Sequence, residues 1–208
     1  MKQTFTVFEG IDGSGSSTQA RIFTGNLFDA SKSNHILLTR EPFDSEEIRR
    51  RLREEKDSYA NAELMAKLFF DDRRSHVNLL IRPRLTLGMP HIVSDRYSLS
   101  TIAYQSTQGL DMDELIKDHR FFPRPDITYF IDVAEEEAMR RIAKGKRQEE
   151  PKFEQIEFQK KLRVNYLEAI EKLTEQGEPI KVINGTPKIE TVAKNVWDDF
   201  TRRFPQDS

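Results

Sequence analysis

Between an apolar run and a helical pattern lies Phe8 to Gln19, FEGIDGSGSSTQ, whose residue types suit the holding of phosphate. Glycines at Gly10, Gly13 and Gly15 let successive backbone N–H groups curl toward phosphate oxygens. A helix starting just after them adds the positive end of its dipole. In a P-loop a lysine follows the last glycine and reaches the β and γ phosphates, and the next Ser or Thr hydroxyl binds Mg²⁺. Ser17 is in register for the metal and Thr18 follows it, but Ser16 stands in the lysine's place with neither its length nor its charge. Two readings fit: a cradle running from Gly10 through Asp12, Gly13, Ser14 and Gly15 to Thr18, or a plain turn with Ser14, Ser16 or Ser17 as N-cap.

Further residues with phosphate or base chemistry recur downstream. In SDRY, Asp95 suits a second metal contact through water, and Arg96 has the planar fork that grips phosphate. Arg40 in TREP offers another cation, and both pairs read equally as surface charges closing a strand. In KLFFDDRRSHV, Phe69 and Arg73 are four residues apart and share a helix face, so a ring can stack on a base while the guanidinium bonds its edge; plain core is the other reading. Thr101, Tyr104 and Gln105 in STIAYQ are suited to the same pocket. The break AKGKRQEEPKFE carries Lys144, Lys146 and Arg147 on a glycine-hinged segment, which suits either a solvated loop or a lid bringing cations to phosphate near 143–153.

These groups need a scaffold, and the pattern supplies one. TFTVFEG, HILLTR, HIVSDRY, DITYFIDV and IKVING are short apolar runs that alternate with helical stretches, among them one long helix over Ala60 to Arg82 and another from Phe153 to about Glu175. This order predicts a five-stranded parallel α/β sheet flanked by helices on both faces, in which ligands bind beyond the carboxyl ends of the strands. Glu9 to Thr18, Arg40 with Glu41, and Asp95 with Arg96 all fall at those ends.

Composition narrows the class. The 208 residues suit one domain over 1–208. With 33 basic and 35 acidic residues the formal net charge is −2, so no global field draws the chain to nucleic acid or membrane. The absence of cysteine excludes thiol catalysis and disulfide scaffolds, and the four histidines show no metal-ligand spacing. No apolar run approaches the roughly 20 residues of a membrane span, and the N-terminal residues enter a strand pattern without a signal peptide, so a cytoplasmic location is expected.

Taken in order, FEGIDGSGSST, TREP, LFFDDRR, SDRYSLSTIAYQ and PDITYFIDV resemble the thymidylate kinase family of P-loop nucleoside monophosphate kinases over nearly the whole chain. The resemblance implies transfer of the ATP γ-phosphate to dTMP with Mg²⁺, and a homodimer. It implies that Asp12 holds the sugar 3′-hydroxyl, Phe69 stacks on thymine, Arg73 reads its carbonyl and Arg40 contacts the acceptor phosphate. Arg96 would bridge that phosphate and the donor, Glu9 would join the substrate site, and Thr101, Tyr104 and Gln105 would recognise the base. Family members carry either an arginine after the P-loop acid or glycine there with the basic residue in the lid; Gly13 matches the second style and makes Lys146 and Arg147 the candidate catalytic cations.

Two departures stand out. The familiar REPGGT is REPFDS, and serine replaces lysine at Ser16. Loss of a buried charged partner costs on the order of 2 to 5 kcal/mol, roughly 30-fold to several-thousand-fold in rate. A working thymidylate kinase is therefore weighed against a weak or inactive nucleotide-binding protein and against a kinase for another nucleotide.

Overall fold

The computed structural model describes residues 3–54, 59, 61–88, 91–145 and 153–205. Its centre is a five-stranded sheet of β1 (Phe5–Glu9), β2 (Ile36–Arg40), β3 (His91–Asp95), β4 (Ile127–Asp132) and β5 (Ile180–Asn184), all parallel, in the order β2-β3-β1-β4-β5. The five strands fall on the five apolar runs. Phe5, Val7 and Phe8 on β1 are buried on both faces, as a parallel strand between helical layers requires. The outer strands are less covered: Leu38 on β2 and Val182 on β5 are exposed.

Helices fill the crossovers. α1 (Ser16–Ala30) follows β1, α2 (Glu46–Glu54) follows β2, and α3 (Ala62–His76) precedes β3. The expected single helix over Ala60 to Arg82 is interrupted: a π-helical turn spans Val77–Ile81 before α4 (Arg82–Leu87). Pro83 lacks the N–H that would continue an α-helical ladder, and the Arg82 N–H donates instead to the Val77 carbonyl, five residues back. After β3 come α5 (Ser98–Thr107) and α6 (Met112–His119), after β4 come α7 (Glu135–Gly145) and α8 (Phe153–Glu175), and α9 (Ile189–Arg203) closes the described chain. α6 was not expected from the sequence; Asp111 caps it by accepting from the Glu114 N–H at 2.9 Å.

Phe23 of α1 sits at the junction of α1, β1, β4 and α9. Its ring meets Phe8, Tyr129, Trp197 and Phe200 with centroids 4.7 to 6.4 Å apart. This contact fixes α1, and so the loop that feeds it, against the sheet. Phe23→Ala is expected to lower unfolding stability by about 3 to 5 kcal/mol, to be measured by urea denaturation.

Candidate active site

The chain leaves β1 and β3 in opposite directions, so a crevice opens at their carboxyl ends. Register sets its floor: Phe8 is paired with Asp95, and Arg40 with Asp95. The residues after β1, β2 and β3 therefore emerge at one level.

After β1 the backbone turns tightly. Gly13 has φ +84°, and a Cβ there would lie 2.3 Å from the Ala138 carbonyl oxygen, so the position takes only glycine. Gly15 is the N-cap of α1 and brings no side-chain cap of its own, so the N-cap is none of Ser14, Ser16 or Ser17. The Thr18 N–H donates to the Gly15 carbonyl at 3.0 Å and the Ser16 N–H turns to Ser14 Oγ, which leaves the Ser17 N–H of the first turn to face an anion. Ser16 is 4% exposed, with its N–H 3.4 Å from Ser14 Oγ.

Around this loop lies a cleft of about 650 Å³, lined by Ile11 to Gln19, Arg96, Arg141 and the Gly185–Ile189 segment. Arg141 was not singled out from the sequence. Its Nε donates to Glu137 at 2.7 Å, its Nη1 to the Ser14 carbonyl at 3.1 Å and its Nη2 to the Gly185 carbonyl at 3.0 Å, tying the loop after β1 to the loop after β5. The position of INGTPK just past a strand end was the available signal.

A second cavity of about 340 Å³ is lined by Ser17, Arg21, Arg40, Phe43 and Asp95, among others. Ser17 lines both spaces. Asp95 is 8% exposed and its Oδ1 has no hydrogen-bond partner. An orphaned carboxylate oxygen on a residue that lines the same cavity as Ser17 fits a divalent cation that keeps several waters.

Arg96 stands between the loop after β1 and α5 at φ +72°, a left-handed conformation uncommon for a residue with a Cβ. Its Nη2 donates to Asp12 Oδ1 at 2.5 Å, its Nη1 to Ser100 Oγ at 3.2 Å, and its guanidinium lies 5.5 Å from the centre of the Tyr104 ring. Asp12 is half-exposed, so the pair faces open space.

The base-reading candidates are packed together on α3 and α5. Arg73 is 1% exposed; its Nε and Nη2 donate to Glu41, and Nη2 donates also to the Tyr97 carbonyl and to Thr101 Oγ1 at 2.9 and 2.8 Å. Its Nη1 has no protein partner. Glu41 is bonded in turn to His76 Nδ1 at 3.0 Å, and His76 stacks on Phe43 at 4.6 Å. Asp72 accepts from the backbone N–H groups of Phe43, Asp44 and Ser45 at 2.5, 2.9 and 2.9 Å, which fixes the REPFDS loop. Phe70 packs on His119 and Phe122, whereas Phe69 is half-buried and meets no ring among the described residues. Gln105 is 2% exposed and its Oε1 has no partner.

Glu9, expected to join the substrate site, is fully buried. Oε1 accepts from the Tyr97 and Ser100 N–H groups at 2.8 and 3.2 Å, and Oε2 from Ser100 Oγ at 2.5 Å. It acts from behind, by fixing the start of α5. Lys146 and Arg147 lie outside the described residues, as does most of the lid segment; Lys144 at the end of α7 is exposed.

Known proteins are similar to this chain over most of its length. The family model described as thymidylate kinase matches residues 8–196. A probable thymidylate kinase of Pyrococcus horikoshii is 39% identical over 203 residues, covering 94% of this chain and 95% of that protein. One from Thermococcus kodakarensis is 39% identical over 202 residues, covering 92% and 94%. The crystal structure of thymidylate kinase from Ehrlichia chaffeensis superposes with a TM-score of 0.75 at 25% identity, covering 96% of this chain and all of that one.

Burial pushes the Glu9 carboxyl up to about 7, against the opposing pull of the Ser100 hydrogen bond and the Arg96 charge. The folded chain then keeps a proton that the unfolded chain releases near its ordinary value of 4.5. This contribution to stability is fully present below the unfolded value and is lost as pH rises through the folded one. The urea midpoint of the wild type, taken relative to Glu9→Gln, should therefore fall between about pH 5 and pH 8.

Proposed function

The chain belongs to the thymidylate kinase family, and from that premise we propose the site roles by which it transfers the ATP γ-phosphate to dTMP. The observation that carries the reading is the meeting of two arginine-bearing cavities at Ser17, one with Arg96 and Arg141 and the other with Arg21 and Arg40. A donor phosphate chain and an acceptor phosphate need that adjacency.

The backbone from Gly10 to Thr18, with the uncapped start of α1, holds the ATP phosphates. Arg40 holds the acceptor phosphate. Arg96 bridges acceptor and donor, and Asp12, oriented by its ion pair with Arg96, receives the sugar 3′-hydroxyl. Phe69 supplies a stacking face for the base, and the unpartnered Nη1 of Arg73 is assigned to a base carbonyl. Thr101, Tyr104 and Gln105 complete the wall. Ser17 and Asp95 would hold Mg²⁺, which supplies charge neutralisation between phosphates when bound.

The attacking acceptor oxygen is already anionic, so the protein's task is alignment and charge stabilisation rather than proton removal. Product dTDP would feed dTTP synthesis. A homodimer and a cytoplasmic location complete the proposal; among the described residues no helix is long and apolar enough to cross a membrane.

Release of ADP from ATP and Mg²⁺ is expected with dTMP in preference to dCMP, dGMP, UMP and thymidine. Equal use of another acceptor would reassign the substrate, and nucleotide binding without turnover would favour the inactive reading, which the short, buried Ser16 supports.

Ser16→Lys is expected to raise kcat by about 30-fold or more, the equivalent of about 2 kcal/mol. An unchanged rate would assign the phosphate charge to another cation such as Arg96 or Arg141.

A further inference from the structure

Arg96 is gripped from behind by a hydroxyl pair that the roles above leave unexplained. Tyr166 comes from the middle of α8, a different element from every residue assigned so far, and is fully buried. Its ring packs 5.0 Å from Phe130 and 6.3 Å from Tyr104, contacts that phenylalanine would make equally well. The hydroxyl is the informative part, because burying it needs partners.

Those partners all belong to the Arg96 site. Tyr166 Oη is 2.9 Å from Ser100 Oγ, 3.4 Å from Arg96 Nη1 and 3.4 Å from Glu9 Oε2. With Glu9 ionised, above about pH 7, Ser100 donates its own proton to Glu9 at 2.5 Å, which leaves its oxygen to accept from Arg96 at 3.2 Å and from Tyr166. Burial, with Glu9 nearby, raises the phenol well above its ordinary value, so it remains a neutral donor and acceptor.

We propose that Tyr166 is a positioning residue for phosphoryl transfer, holding the Arg96 guanidinium, directly and through Ser100, in the orientation that meets Asp12 and the cleft. Arg96 is a residue with a Cβ in a left-handed conformation and has, among the described residues, one carboxylate partner, Asp12. Two hydroxyls on the far side of its guanidinium fix the rotation that this partner alone leaves free.

The inference rests on the kinase reading, and a double-mutant cycle separates the two. Tyr166→Phe, Arg96→Ala and the double variant are compared with wild type for kcat, for the KM of ATP and, by calorimetry, for dTMP affinity. The single Tyr166→Phe change is expected to lower kcat about tenfold, as for a lost hydrogen bond to a charged group. The KM for ATP should stay within about twofold, since the P-loop cradle is untouched. In the Arg96→Ala background the same change should have less than about a twofold effect, because its route is already cut.

An undiminished kcat in Tyr166→Phe, or an equal loss in both backgrounds, overturns the proposal. Wild-type protein without transfer to dTMP counts against the kinase reading alone, and the cycle is then decided by dTMP affinity. Should Tyr166→Phe lower the melting temperature, Ser100→Ala cuts the route through the other hydroxyl and takes its place in the cycle, with the same outcomes for and against.

Discussion

The parallel register of β1, β2 and β3 is the constraint on which the site depends. Phe8, Arg40 and Asp95 form one row across three strands. Each strand then releases its chain at the same height, so the loop after β1, Arg40 and the Asp95–Arg96 pair line two cavities that meet at Ser17. A slip of one residue in β3 would turn Asp95 to the other face of the sheet and remove its carboxylate from the cavity it shares with Ser17.

Above that row the molecule invests in buried charge. Glu41 sits among Arg73 and His76 with the ion pair almost fully out of water. Such a cluster adds little net stability, because the desolvation of each ion offsets most of the attraction. Its effect is geometric: Arg73 is tied to Glu41, the Tyr97 carbonyl and Thr101 at once, so its guanidinium has essentially one orientation. Glu9 serves α5 in the same way, and the cost appears as a carboxyl held near neutrality.

Legibility from sequence followed the range of each interaction. Local signals sufficed for the five strands, because each is a short apolar run, and for the glycine turn, because its conformation is dictated by the missing side chains. They failed at Pro83, where a π turn absorbs the lost N–H and the helix carries on to Leu87. Arg141 was missed for a different reason: its meaning lies in the Ser14 and Gly185 carbonyls, residues distant in sequence that only the sheet brings together. Glu9 was assigned to the substrate site by resemblance alone, and only the fold shows its side chain holding the start of α5. Resemblance identified the chemistry, and folding decided which residues touch the cleft and which support those that do.

The hold of Asp72 on the loop after β2 has a further meaning. Its carboxylate takes three consecutive backbone N–H groups, from Phe43, Asp44 and Ser45, and no side chain of that loop takes part in the grip. A clamp of this kind does not register which side chains it holds, provided none of the three is proline. Phe-Asp-Ser can therefore replace Gly-Gly-Thr without loosening the loop, and the phenyl ring, stacked on His76, lines the same cavity as Arg40. The segment is a place where the wall of that cavity can be rewritten while the backbone that carries it stays fixed.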